Sequence, residues 1–377
     1  MMDILLFFAS AGMAFGYVAL IWWVMNGWDE TVEWEEPPSD YIPSTDVTVV
    51  VAARNEAKTI EDCLQSILQQ DIPADLLHII VVDDQSTDET SSIVTNISDS
   101  RITLLHTAHG NEGKKAAISQ AVANSTSQVI LCTDADSKVG RSWVRTFLYQ
   151  YELNKPRLIV GPIVYETDRS LLQRFQYMDG IGNTAVAANG ILHGAYHMAN
   201  GANLFYERSL FEEVGGYDGD KVASGDDMLL VQKASAVAPE SIRFLKAKSA
   251  VVKTAPVESI GELIAQRKRW ATKSKHYSDK GILKVQGFVF AVVLMLVLNL
   301  VLIPLTDGFS LFSFLFLAFV KGCMDYLLLS RMADWFGDSK PLKSFVGAFV
   351  YFTLYILWAG WSALVPTHYT WKGRQQS

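Results

Sequence analysis

Apolar residues fall into two kinds of block along this chain. Long unbroken runs lie near its two ends, and short runs alternate with amphipathic segments between them. Ile4 to Met25 carries no charge and is long enough to cross a bilayer. It ends on Trp22-Trp23, an interfacial pair, and only Met1, Met2 and Asp3 precede it. A cleaved leader would want a basic start and a small-residue cleavage site, so the run predicts a retained anchor. Three more runs, Val285–Leu305, Phe309–Leu329 and Phe345–Val365, predict three further spans, with a tight turn at Pro304–Gly308.

The middle has shorter periods. Val47–Val51, Ile79–Val82, Thr103–Leu105 and Val129–Cys132 read as buried strands. Between them, Asn55–Gln70 has helical spacing at Ile60, Cys63, Leu64, Ile67 and Leu68, and Asp88–Ile97 and Gly113–Asn124 also read as helices. This β-α-β-α order predicts an α/β domain with a parallel sheet covered on both faces. The expected layout is an N-terminal membrane helix (1–25), an acidic solvated linker (26–45), the α/β domain (46–270), a basic membrane-interface segment (271–284), three membrane helices (285–366) and a tail (367–377).

Charge adds orientation. Lys273, Lys275, Lys280 and Lys284 precede the second span, and Arg331, Lys340 and Lys343 separate the last two. The turn at Thr306–Gly308 has no basic residue. The α/β domain is therefore expected in the cytoplasm and both termini outside, in the plasma (inner) membrane; Lys372 and Arg374 in the tail run against this. The net charge is −8 and no basic stripe occurs, so no nucleic-acid partner is expected. Cys63, Cys132 and Cys323 lack metal-ligand spacing and read as reduced thiols.

Candidate chemistry gathers at the strand ends. After the first strand come Arg54-Asn55-Glu56, and after the second Asp83-Asp84-Gln85-Ser86-Thr87-Asp88. His109 to Lys115 opens a helix, and Thr133-Asp134-Ala135-Asp136 closes the fourth strand. Helix capping explains one or two of these groups. It does not explain carboxylates or amides at every strand end on the edge where α/β sheets bind ligands. Two acids one residue apart suit a hard divalent cation that bridges to phosphates. Gly113-Lys114 at a helix start fits phosphate contact. The P-loop spacing is absent, and no Gly-x-Gly-x-x-Gly follows the first strand, which argues against a dinucleotide oxidoreductase.

Taken in order, these segments resemble the family-2 glycosyltransferases of GT-A (Rossmann-like) fold, over about Val47 to Trp270. Val51-Ala52-Ala53-Arg54-Asn55-Glu56 is similar to the family's opening, with Ala52 where Pro is common. Val82-Asp83-Asp84-x-Ser-x-Asp88 matches its nucleotide loop, and Asp134-Ala135-Asp136 its metal-binding Asp-x-Asp. Gly201–Phe205 and Gly215–Asp218 follow as in the family. Asp226-Asp227-Met228-Leu229-Leu230 stands for Glu-Asp-x-x-Leu, with Asp226 replacing Glu, and Gln266–Trp270 for Gln-x-x-Arg-Trp.

The resemblance implies inverting transfer from a nucleotide-diphospho-sugar, expected to be a UDP-sugar, to a membrane lipid or lipid-linked glycan. It implies a divalent metal, Mg²⁺ or Mn²⁺, on Asp136 with Asp134 beside it, and Asp227 as general base with Asp226 its neighbour. Arg54, Glu56, Asp84, Lys114, Asp134, Asn203, Gln266, Arg269 and Trp270 are the implied substrate-binding residues. A processive polysaccharide synthase is the alternative within the class; with only three spans after the domain, one or a few transfers onto lipid are expected. A non-catalytic nucleotide-sensing membrane protein is the alternative of another class, and four spans around so large a polar domain make a poor transporter.

Three features stand outside the resemblance. His193 and His197 read as ordinary polar positions or acceptor lining on a helix between Leu171 and Ala199, and the stripe Leu171, Leu172, Phe175, Met178 as core. Lys321 and Asp325, one turn apart in the third span, read as an intrahelical pair or as a polar point near a lipid headgroup.

Overall fold

The structure is a computed structural model that describes residues 2–167, 170–218, 225–273, 277, 279–306, 308–364, 369–371 and 374–376. Lys275, Asp307 and Lys372 lie outside the described residues.

The strands are β1 (Val47–Ala53), β2 (Leu77–Asp83), β3 (Ile102–His106), β4 (Val129–Asp134), β5 (Ser137–Val139), β6 (Leu158–Val160), β7 (Ile163–Tyr165), β8 (Leu204–Glu207), β9 (Ile242–Phe244) and β10 (Val252–Thr254). The helices are α1 (Met2–Glu30), α2 (Ile60–Leu68), α3 (Thr90–Asn96), α4 (Lys114–Asn124), α5 (Trp143–Asn154), α6 (Leu171–Leu192), α7 (Arg208–Glu213), α8 (Asp226–Val237), α9 (Ile260–Lys273), α10 (Lys280–Leu302), α11 (Phe309–Phe336) and α12 (Phe345–Leu364). A hairpin of β11 (Tyr369–Trp371) and β12 (Arg374–Gln376) lies in the tail.

The main sheet has the order β3-β2-β1-β4-β8-β6-β9. Its central strands are buried on both faces, which is why they read as unbroken apolar runs. Alternate residues serve different layers. Val47, Val49, Val51 and Ala53 pack with Ile60 and Leu64 of α2 and Phe147 of α5. Val50 faces Ala117 and Ala121 of α4 and the layer that continues into the long apolar helices.

The sheet is mixed rather than parallel. β8 runs antiparallel to both β4 and β6, with Cys132 opposite Leu204 and Val129 opposite Glu207. After α6 the chain crosses the carboxyl edge of the sheet, so the next strand enters at that edge and can only run back. The first expected helix is also shorter: Asn55 has φ 54, and the helix begins at Ile60. Likewise α6 ends at Leu192, which leaves His193 as its cap and His197 in the following loop.

Among the described residues, four helices are long and apolar enough to cross a membrane: Ile4–Glu30, Lys280–Leu305, Phe309–Phe336 and Lys340–Trp361. The α/β domain is docked on them. Lys246 Nζ donates to the carbonyls of Trp28 (2.7 Å) and Thr31 (3.3 Å) and lies over the Trp28 ring. It thereby serves carbonyls at the end of α1 that have no intrahelical donor, where a cation also suits the helix dipole. Arg331 pairs with Asp29 at 2.7 Å and ties α11 to the same end. Helix α6 packs against α1, α11 and α12. At its crossing with α1 a Cβ on Gly27 would lie 2.0 Å from Asn189 Oδ1, so only glycine fits there.

Inside the helical layer, Lys321 is fully buried and pairs with Asp325 at 2.5 Å. Tyr17 of α1 donates to the other oxygen of Asp325, and the Lys321 ammonium faces the rings of Tyr17, Phe349 and Phe352. The pair is thus a contact among α1, α11 and α12, more than the intrahelical pair expected.

The linker is a docked strap rather than a solvated tether. Trp34 N bonds to Lys246 O, and Arg145 reaches the carbonyls of Pro38, Ser39 and Tyr41. Glu152 accepts the N–H groups of Ser44 and Thr45 (both 2.8 Å) and the Tyr41 hydroxyl (2.9 Å). Glu33, Glu35 and Glu36 keep their side chains in solvent while the backbone is held.

Candidate active site

Three loops leave the carboxyl edge side by side, because β1 places Ala53 beside Asp83 and Ala52 beside Asp134. The first two lock each other. Arg54 Nη1 donates to the carbonyls of Asp84 (2.5 Å) and Gln85 (3.0 Å), and Asn55 Oδ1 accepts from Thr87 N (2.8 Å). Asn55 and Gln85 both have φ in the left-handed region, at 54 and 56. Glu56 takes the Thr59 hydroxyl at 3.3 Å. Arg54, expected to bind substrate, here braces the loop after β2. Asp84, 2% exposed, accepts from Thr107 Oγ1 (2.9 Å) and Gly113 N (3.0 Å) and so fixes the loop that starts α4.

That start carries Lys114 into the centre. Its ammonium is 2.7 Å from Asp134 Oδ1 and 3.3 Å from Asp226 Oδ2. Burial alone would lower the Lys114 pKa, but the charges of Asp134, Asp226 and Asp227 outweigh it and hold the value well above that of an ordinary lysine. Asp227 Oδ2 accepts from Gly201 N (3.1 Å), and Oδ1 accepts from Met228 N (2.7 Å). Helix α8 begins at Asp226, so both acids sit on its first turn, where the helix dipole favours them. Half-buried Tyr277 lies within the field of Asp227.

Asp136, half-buried, accepts from Thr254 Oγ1 at 3.3 Å. No group of three or more His, Cys, Asp or Glu that could hold a metal occurs among the described residues. The donor set is two carboxylates at a partly open edge. That fits an ion such as Mg²⁺ or Mn²⁺, which keeps waters and takes phosphate oxygens, and not an enclosed structural metal. Beneath them Cys63 is buried and its thiol is pushed up in pKa, by burial first and then by Asp136 and Asp134, so it stays protonated.

Asn203 is the clear correction. Its amide is fully buried, accepts from Trp143 Nε1 (3.0 Å) and donates to the carbonyls of Pro162 and Ala250 (both 2.8 Å). Both amide hydrogens are used, so it joins strands behind the site and does not face substrate.

Gln266, Arg269 and Trp270 lie half-buried on α9. The residue that anchors this helix was not singled out from the sequence. Arg267 is 1% exposed, 2.6 Å from Asp179 Oδ2 on α6, and its guanidinium lies 4.2 Å from the Trp270 ring and 5.4 Å from the Tyr355 ring of α12. Helical spacing held a signal, since Leu263, Arg267 and Trp270 share one face and Leu263 is buried. The anchor adjoins the acids: Tyr165 pairs in register with Thr254, the donor to Asp136. Its hydroxyl pKa is pushed up to about 12, mainly by burial, with Arg267, Asp179, Asp136 and Asp134 all in range. His197, by contrast, lies beside Asp279: its backbone N–H donates to that carboxylate at 2.9 Å, and its ring Nδ1 is 3.8 Å away.

A mixed α/β sheet with paired acids at its carboxyl edge defines a GT-A-like domain, joined here to helices long and apolar enough to cross a membrane. Residues 48–215 match the family described as Glycosyl transferase family 2. The match covers Asp84, Lys114, Asp134 and Asp136 and ends before Asp226. The chain is 25% identical over 230 residues to the poly-beta-1,6-N-acetyl-D-glucosamine synthase of Staphylococcus aureus (strain COL), covering 60% of this chain and 53% of the relative. It is 30% identical over 195 residues to the probable glycosyltransferase YdaM of Bacillus subtilis (strain 168), covering 49% and 46%. The chain thus spans about half the length of the curated relatives it matches. Among solved structures, the mannosyltransferase PcManGT from Pyrobaculum calidifontis, in complex with GDP-Man and Mn²⁺, superposes with a TM-score of 0.53 at 22% identity, covering 96% of each chain; that likeness concerns the fold.

Proposed function

We propose that this chain is an inverting glycosyltransferase that moves a sugar from a nucleotide-diphospho-sugar, a UDP-sugar, to a membrane lipid or lipid-linked glycan at the cytoplasmic face. One observation carries the reading: Lys114 spans from the Asp-x-Asp acids to the acids that open α8, so a donor side and an acceptor side meet within one side chain's reach.

The donor's nucleotide lies along the loops after β1 and β2, shaped by Arg54 and Asp84, with Glu56 at their rim. Held on Asp136 with Asp134 beside it, Mg²⁺ or Mn²⁺ would neutralise the leaving diphosphate. Arg269 adds a guanidinium fork suited to phosphate oxygens, positioned by the Arg267–Asp179 anchor. Gln266 and Trp270 line the same helix toward the acceptor. An acceptor hydroxyl is a poor nucleophile. Asp227 takes its proton as the oxygen attacks the anomeric carbon from the face opposite the diphosphate, and this single displacement inverts that carbon.

The membrane helices and the docked α9 favour an acceptor presented at the bilayer surface. A processive synthase is the second reading, favoured by the likeness to a poly-N-acetylglucosamine synthase. Membranes containing the protein are to be incubated with labelled UDP- and GDP-sugars. Label in short lipid products is expected; label in a long polymer supports the second reading, and no transfer from any donor refutes both.

A further inference from the structure

The Lys114 bridge joins three separate segments. Lys114 is the first residue of α4, Asp134 the last of β4 and Asp226 the first of α8. Its two ends differ. The Asp226 side chain is 7% exposed, whereas that of Asp134 is 35% exposed and Lys114 is 25% exposed. Gly201 makes the room, since a Cβ there would lie 2.8 Å from Lys114 Nζ and 3.1 Å from Asp226 Oδ2. The same glycine donates its N–H to Asp227. The ammonium is thus seated against a fixed, buried acid at one end and an accessible acid at the other.

We propose that Lys114 is a built-in counter-ion on the metal side of the site: it neutralises Asp134 in competition with a divalent cation, and when the cation binds it yields Asp134 and stays on Asp226. The proposal rests on reading Asp134 and Asp136 as the metal side of the site. The physics is competition between cations. Asp134, Asp136, Asp226 and Asp227 concentrate negative charge, which an unpaired cluster could hold only at a cost in repulsion. An ammonium on a flexible four-carbon stem can swing off one carboxylate and keep the other, which a planar guanidinium paired in two directions cannot do as readily. The exchange takes place at the solvent-accessible end. Metal arrival at Asp134 thereby concentrates the Lys114 charge on Asp226, next to the proposed base, and links occupancy of the donor side to the charge around Asp227. Lys114 is a positioning residue in this scheme and touches no reacting atom.

The test is Mn²⁺ binding to the full chain in detergent without nucleotide, read from the free-Mn²⁺ paramagnetic resonance signal. Lys114→Met removes the competing cation and should bind Mn²⁺ roughly tenfold tighter than the unaltered protein. Gly201→Ala keeps every charge but crowds the bridge, so it should shift affinity in the same direction by a smaller factor, which separates geometry from net charge. Equal or weaker Mn²⁺ binding by folded Lys114→Met overturns the proposal. If that variant does not fold, unchanged affinity in Gly201→Ala overturns it instead. Failure of the unaltered protein to bind Mn²⁺ even with UDP added would overturn the metal reading itself, and the exchange with it. Mn²⁺ binding that is normal yet insensitive to both substitutions removes only the exchange.

Discussion

Asp227 takes the N–H of Gly201 on one oxygen and that of Met228 on the other, which aims the carboxylate. Asp227→Asn should therefore keep donor binding and lower sugar transfer by about 10²–10⁴-fold, measured as label incorporation at saturating donor. Asn203 makes the opposite prediction. Asn203→Ala strands the buried Trp143 indole N–H and the Ala250 carbonyl, while Pro162 O keeps the Val252 N–H, and should cost roughly 2–4 kcal/mol of stability in thermal unfolding while KM for the donor is unchanged. A rise in KM without loss of stability would return Asn203 to the substrate. The place of Asp134 at the carboxyl edge was legible because it directly follows an unbroken apolar run that reads as a strand. Residue identity misled for Asn203, since an amide in a loop looks the same whether it faces ligand or holds two strands together.

Among elements, α9 and the strap gained most from tertiary contacts. The Arg267–Asp179 pair seats α9 between α6 and α12, and removing one buried partner leaves the other charge uncompensated. Asp179→Asn should lower the melting temperature in detergent, by about 3–5 kcal/mol in free energy, and raise KM for the donor through the displaced Arg269. Stability and KM both unchanged would sink the anchoring role. In the strap, burial pushes the Glu152 pKa up, but the Ser44 and Thr45 N–H groups and the Tyr41 hydroxyl outweigh it and hold it below that of an ordinary glutamate. A depressed carboxyl stabilises the folded state above its unfolded pKa, and this is lost as pH falls through the folded value. Protease cutting within residues 31–46 should accordingly rise as the pH drops below about 4. Glu152→Gln should be cut faster at neutral pH and lose most of that pH response. The apolar runs and helical periods were legible without these contacts. The mixed sheet was not, because β8 is short and its direction depends on where α6 delivers the chain.

For the whole molecule, the distribution of basic residues and the docking of α1 bear on one arrangement. Arg331 and Lys246 meet the same end of α1, so the α/β domain, the α11–α12 connection and the acidic strap lie on one side. With that side cytoplasmic, a cysteine placed at Thr306 should react with a membrane-impermeant maleimide on intact cells, and one at Lys340 only after permeabilisation. The reverse pattern would invert the proposed topology. Cys63 and Cys132 are buried and give little background, and the exposed Cys323 is first replaced by Ser.

The sequence by itself determined the long apolar helices, the α/β class of the middle and the acids at the sheet edge, because length, period and strand-end position are local properties of a chain. Tertiary structure alone decided that Lys114 faces two acids at once, that Arg267 rather than a neighbour is buried, that Asn203 turns inward and that the acidic linker is strapped down. Each of these depends on which distant segments share a few ångströms, and residue types along one segment do not carry that information.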